Sequence, residues 1–229
     1  MKTHRNILKI YIILALISLP IIIIMDTNNK ICNIALSVLT SSIVAFLIEL
    51  ANYISLLNEN KSKLYSALYF TKYTTISLLS DINNAIENHM PFTNVPQFSM
   101  INNIQNSFNN FLLIDNDYYW FSKKNENLSY IKKTMHSSIQ NIVLSYQKFS
   151  IAFNLIKISK LQCNDKVHQI DLTSVNEINL IKEAANLLLN EIEDTARILF
   201  TQDQLNKWTI ESNIINNSVI NCKATINYK

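Results

Sequence analysis

The sequence predicts an all-α protein, an N-terminal two-helix transmembrane hairpin followed by a cytosolic bundle of four or five helices. Three observations predict it. Two apolar runs, Ile7 to Met25 and Ile31 to about Leu57, open the chain. Beyond them apolar residues recur at spacings of three and four, the mark of helices with one buried face. No proline interrupts the chain between Ile21 and Met90.

The first span covers about 7–25. Lys9, Tyr11, Ser18 and Pro20 are its only interruptions, and crossing a hydrocarbon core takes roughly 20 apolar residues at about 1.5 Å each. Lys2, Arg5 and Lys9 resemble the basic start of a secretory signal, but no pair of small residues before Asp26 suits a signal peptidase. An uncleaved anchor is expected, kinked at Pro20, a defect that neighbouring helices compensate in a bilayer. Asp26 to Lys30 forms a turn without glycine.

The second span, about 31–52, is interrupted by Asn33, Ser37, Thr40, Ser41, Ser42, Glu49 and Asn52. Ser37, Ser41, Ala45 and Asn52 fall on one helical face. Such a small-xxx-small seam lets backbones approach closely in lipid. It packs either on the protein's own first helix or on other copies of the chain. Glu49 lies nearly a full span from Ile31, which suits the membrane interface; lining or gating a pore is the other reading.

Basic residues set the orientation. Lys2, Arg5 and Lys9 precede the first span, Lys30 alone occupies the short loop, and Lys61, Lys63 and Lys72 follow the second span. The positive-inside rule therefore puts both termini of a two-pass membrane protein in the cytoplasm. Cys32, Cys163 and Cys222 are odd in number and scattered, unlike a disulfide framework.

Charge and composition exclude several functions. The formal charge of +3 lies wholly in residues 1–30, so the cytosolic part is neutral and offers no basic footprint for nucleic acid. Glycine is absent. Phosphate-cradling loops and the G-x-S-x-G elbow need glycine where amides approach a ligand or φ is positive. No enzyme, catalytic residue, cofactor or metal site is expected.

The cytosolic domain, 58–217, starts with a long amphipathic helix carrying Leu57, Leu64, Leu68, Thr75, Leu79, Ile82 and Ile86. It either continues the second span as a stalk or bends at Asn58 to Ser62. His89 to Pro91 ends it, Pro91 to Pro96 is a loop, and a helix from about Gln97 to Ile114 turns Phe98, Ile101, Ile104, Phe108, Phe111 and Leu112 inward. Tyr118, Tyr119, Trp120 and Phe121 follow, flanked by Asp115, Asp117, Lys123 and Lys124. These rings fill a corner of the bundle or dock on a bilayer or a partner protein; the two aspartates make a poor cation site.

Asn127 to Leu161 is the clearest soluble helix, with Leu128, Ile131, Met135, Ile142, Phe149, Phe153 and Ile156 buried and His136 packed or solvated beside them. Cys163, Asp165 and His168 belong to a polar loop, since a structural zinc site needs four ligands and usually paired spacings. Ser174 and Glu177 form a capping-box pattern. Ile178, Ile181, Ala185, Leu188, Ile192, Thr195 and Leu199 then alternate steps of three and four, a heptad seam that demands a partner helix. Glu191, Glu193 and Asp194 read as a solvated face without a His or Lys partner. The last helix, about Gln204 to Asn217, carries Trp208, Ile210 and Ile214, and 218–229 is an extended tail.

The stretch Leu39 to Tyr53 (LTSSIVAFLIELANY) resembles the second span of small two-helix bacterial membrane proteins, some of them effectors in anti-phage systems. That resemblance implies an inner-membrane protein whose cytosolic domain receives a trigger while its spans oligomerise and permeabilise the bilayer. The residues also suit a passive anchor or scaffold that tethers a cytosolic partner through the heptad helix or the Tyr118 to Phe121 patch.

Overall fold

The computed structural model describes residues 2–24, 30–87, 98–114, 124–162, 172 and 175–226. Among these residues there is no strand, and six helices follow in order. They are α1 (Lys2–Ile24), α2 (Lys30–Glu87), α3 (Met100–Leu112), α4 (Lys124–Gln162), α5 (Asn176–Leu199) and α6 (Gln202–Ile226). The chain divides into two compact units, Met1–Ser62 with Asp115–Phe121, and Lys63–Ile114 with Ser122–Lys229.

In the first unit, α1 and the start of α2 each hold a stretch long and apolar enough to cross a membrane. Most of their apolar side chains point outward, among them Ile13, Leu16, Ile17, Ile34, Leu47 and Ile48. Water would penalise so much exposed hydrocarbon; lipid tails would not. Pro20 lies inside α1, which continues to Ile24.

α2 is not broken at Asn58 to Ser62; it is one continuous helix of 58 residues. No proline or glycine interrupts it, and its 3–4 periodicity continues past the polar patch. Within the second unit it buries Leu64, Ala67, Leu68, Thr71, Thr75, Leu78 and Ile82. Leu78 takes the inward place expected of Leu79, and Leu79 and Ile86 are half-buried.

α3 buries Ile101, Ile104, Phe108 and Phe111, with Phe98 before it. Leu112, expected inward, is exposed; it stands about 100° past Phe111, off the buried face. The end of α3 is closed by a residue from α4: the buried Lys132 ammonium donates to the carbonyls of Leu112 (3.1 Å) and Ile114. A cation there answers both the orphan carbonyls and the negative end of the helix dipole.

α4 and α5 pack together along their length. All seven heptad residues of α5 are buried, and so are Leu128, Ile131, Met135, Ile142, Phe149 and Phe153 of α4; Ile156 is half-buried. Phe98, Phe149 and Phe153 form a run of rings 5.9 and 6.0 Å apart. His136 is exposed, its ring stacked 6.1 Å from Phe108.

Two boundaries differ from expectation. The N-cap of α5 is Val175, without a side-chain cap bond; Ser174 lies outside the described residues. A capping box instead starts α6, where Thr201 Oγ1 accepts from the Gln204 amide (3.4 Å) and Gln204 Oε1 accepts from the Thr201 amide (3.1 Å). α6 continues to Ile226, through the stretch that the sequence suggests is an extended tail. Its buried face is Trp208, Ser212 and Ile215, not Ile210 and Ile214, which are exposed.

Candidate functional site

In the first unit a buried and half-buried stripe of α1 runs through His4, Leu8, Tyr11, Ala15 and Ser18. That of α2 runs through Cys32, Ala35, Leu39, Ser42, Phe46, Glu49 and Tyr53. Both series alternate steps of three and four, so each stays on one side of its helix. His4 Nδ1 donates to Glu49 Oε1 at 2.6 Å, and Tyr11 shares its surroundings with Ser42. At these two points positions rise on one helix as they fall on the other.

This stripe is not the seam of small residues read from the sequence. Ser37, Ser41 and Asn52 are exposed, and Ala45 is half-buried at the margin. Asn33, Ser37, Ser41 and Ala45 instead line an open groove of about 600 Å³ on the side of the unit, bordered by Tyr11 and Leu14 of α1. Ser37 and Ser41 are thus exposed on a groove beside α1. Thr40 hydroxyl bonds to the carbonyls of Leu36 and Ser37, and Ser18 to Leu14, which satisfies those groups within their own helices.

Glu49 lies on the α1-facing stripe rather than on the open face. Its carboxylate is fixed by His4, a partner 45 residues away. Tyr118, Tyr119, Trp120 and Phe121, together with Asp115, Asp117, Cys163, Asp165 and His168, lie outside the described residues. Among the described residues no group of three or more His, Cys, Asp or Glu side chains is arranged to hold a metal ion.

The second unit contains an ionic cluster that sequence reasoning missed. Lys72, read as a charge flanking the membrane, is buried, its side chain 7% exposed. Its ammonium donates to Glu193 Oε1 and to Ser212 Oγ (2.6 Å) and lies 4.9 Å from the centre of the Trp208 ring. Trp208 Nε1 donates to Glu193 Oε2 at 2.9 Å. Glu193 is thus not an unpartnered surface carboxylate: it joins α2 to α5 and α6. A buried ammonium is tolerated only with such partners, and here it has a carboxylate, a hydroxyl and an aromatic face.

A shell of rings surrounds the cluster. Tyr65 packs against Phe200 (5.2 Å) and Trp208 (5.7 Å), and Phe200 against Trp208 (5.4 Å). Tyr65 donates its hydroxyl to Glu211 at 2.5 Å, and Lys207 pairs with Glu211 while lying over the Tyr65 ring. Burial, then the Glu211 bond, raises the Tyr65 hydroxyl above the ordinary tyrosine range, so it remains a proton donor. No family model, curated protein or solved structure matches the chain.

The other two acidic residues of α5 differ from Glu193. Asp194 is exposed and pairs loosely with Arg197 at 3.4 Å. Glu191 borders a cleft between α4 and α5 with Asn127, Tyr130 and Thr134. Desolvation pushes its carboxyl up, against a smaller opposing effect of the Ser138 hydrogen bond, and its Oε2 is enclosed without a hydrogen-bond partner.

Proposed function

We propose that the protein is a non-enzymatic effector of the bacterial inner membrane. Its α1 and the first part of α2 cross the bilayer as an antiparallel hairpin, with both termini in the cytoplasm. Copies assemble through Ser37, Ser41, Ala45 and Asn52, and the assembly perturbs the membrane when the cytosolic helices are triggered. Glu49, held by His4, and Asn52 border the cytoplasmic mouth.

One observation carries this reading: Asn33, Ser37, Ser41 and Asn52 are exposed, and the first three line an open groove beside Tyr11 and Leu14 of α1. Lipid tails offer no hydrogen bonds, so outward amides and hydroxyls are satisfied by their own chain or by another protein. A second copy supplies those partners and fills the groove, and small residues let its backbone come close. The scaffold reading loses one of its two docking surfaces, because the heptad face of α5 is already covered within the second unit.

Disulfide cross-linking in membranes tests the assembly face. In full-length protein with Cys32→Ala, Cys163→Ser and Cys222→Ser, the variant Ser41→Cys is expected to form a cross-linked dimer under mild oxidation. Leu47→Cys, in the same span and 58% exposed but on another face, is expected to stay monomeric. Equal cross-linking at both positions, or cross-linking at Leu47→Cys alone, would contradict the proposal.

A further inference from the structure

We infer that the Lys72 cluster is a latch: it holds the lower part of α2 against α5 and α6, and the turn Thr71–Thr75 is where α2 yields when it opens. As a device that regulates the effector, the latch rests on the function proposed above; as a feature of the fold, it is tested independently of it.

Two separate observations meet on the same turn of α2. The first is the buried ammonium. Lys72 meets Glu193 of α5 and Ser212 and Trp208 of α6 with its charged end. Glu193 and Ser212 stand 121 and 140 positions further along the chain, so the contact exists only while α5 and α6 are docked. If they withdraw, the ammonium is left without its partners, and its long stem lets it swing to water instead. Such a contact has two states, docked with the charge paired or undocked with the charge solvated.

The second observation is the run of threonines around it. Thr71, Thr74 and Thr75 donate their hydroxyls to the carbonyls of Ala67, Phe70 and Thr71, at 2.8, 2.8 and 2.7 Å. Back-bonding to the carbonyl four residues earlier competes with the backbone ladder and favours bending, and β-branched residues are weak helix formers. α2 has neither proline nor glycine. The turn whose backbone ladder meets three such competing hydroxyls is the one that carries the Lys72 contacts.

Ser212 decides which side moves. Its hydroxyl accepts from Lys72 and donates to the Trp208 carbonyl at 2.6 Å, so both α6 partners of Lys72 are tied to the same turn of α6. Displacing that turn removes the hydroxyl and the indole together, whereas Glu193 stays with α5, which is anchored on α4. Release of α6 therefore takes away two of the three partners of Lys72 and leaves Glu193.

Hydrogen exchange by mass spectrometry on the full-length protein in detergent tests this. Glu193→Gln keeps the size of the side chain and an acceptor for Trp208 but removes the charge from Lys72. Exchange of amides 67–78 is expected to rise at least about tenfold, while amides 178–188 of α5 keep wild-type protection. Adding Lys72→Met to Glu193→Gln removes the stranded cation and is expected to restore protection of 67–78 to within about threefold of wild type. Unchanged exchange at 67–78 in Glu193→Gln, an equal rise in α5, or failure of the paired variant to restore protection would each overturn the latch. Exchange is read without reference to leakage or assembly, so a failure of the cross-linking test above leaves this result separately interpretable.

Discussion

Glu193→Ala is expected to lower the stability of the helical unit by about 3 kcal/mol. Breaking a buried ion pair by removing one partner costs roughly 3–5 kcal/mol, because the remaining charge is left desolvated. The low end applies because the Glu193 side chain is 35% exposed and water fills part of the gap. The Trp208 indole loses its acceptor as well. In a unit of this size, 3 kcal/mol corresponds to a fall of about 6–12 °C in Tm, measurable by circular dichroism in detergent. Lys72→Met combined with Glu193→Leu is expected to recover most of that loss, since an apolar pair of similar volume avoids the desolvation of both charges. A paired variant no more stable than Glu193→Ala would show that Lys72 contributes through something other than its charge.

Leu188→Ala is the second large effect, with an expected loss of about 2–5 kcal/mol. Leu188 is fully buried in the seam between α5 and α4, where a removed side chain leaves a cavity as well as a lost transfer energy. Its neighbour Leu187 is 58% exposed, and Leu187→Ala is expected to shift stability by no more than about 0.5 kcal/mol. Urea titrations of the two variants compare the same chemical change one residue apart. Equal losses would mean that α5 is rotated about its axis relative to this packing.

These two sites lie on either side of what local sequence pattern can express. The α5 seam is legible because Ile178, Ile181, Ala185, Leu188, Ile192, Thr195 and Leu199 keep an unbroken alternation of three and four, and all seven are buried. The same local logic finds the two apolar spans and the buried stripe of α4. It fails where one residue decides between adjacent faces. On α6, Ile210 and Ile214 look like core residues, yet Trp208, Ser212 and Ile215 face inward. That rotation is set by tertiary partners, since Lys72 and Glu193 hold Trp208 and Ser212.

Glu193 is unreadable for the same reason. A carboxylate among Glu191 and Asp194 looks solvated, and its cation stands 121 residues earlier on α2, in a stretch where Lys72 resembles an ordinary flanking charge. Lys132 on the carbonyls of Leu112 and Ile114 is a second case, a cap donated by another helix. In the first unit, Ser37, Ser41, Ala45 and Asn52 are legible as a face, but the neighbour they meet is not. A helical wheel cannot distinguish that face from the adjacent stripe Cys32, Ala35, Leu39, Ser42, Phe46, Glu49, Tyr53, which α1 covers.

The central claim, that the spans perturb a membrane when they assemble through the open face of α2, is tested most directly by membrane potential in a bacterial host. Wild type and Ser41→Leu would be induced to matched levels, and potential followed with a voltage-sensitive dye beside growth. The added bulk of leucine blocks close approach at the seam and leaves the α1-facing stripe untouched. Depolarisation and growth arrest with the wild type, lost with Ser41→Leu, is the expected result. Depolarisation of equal extent by Ser41→Leu would contradict it.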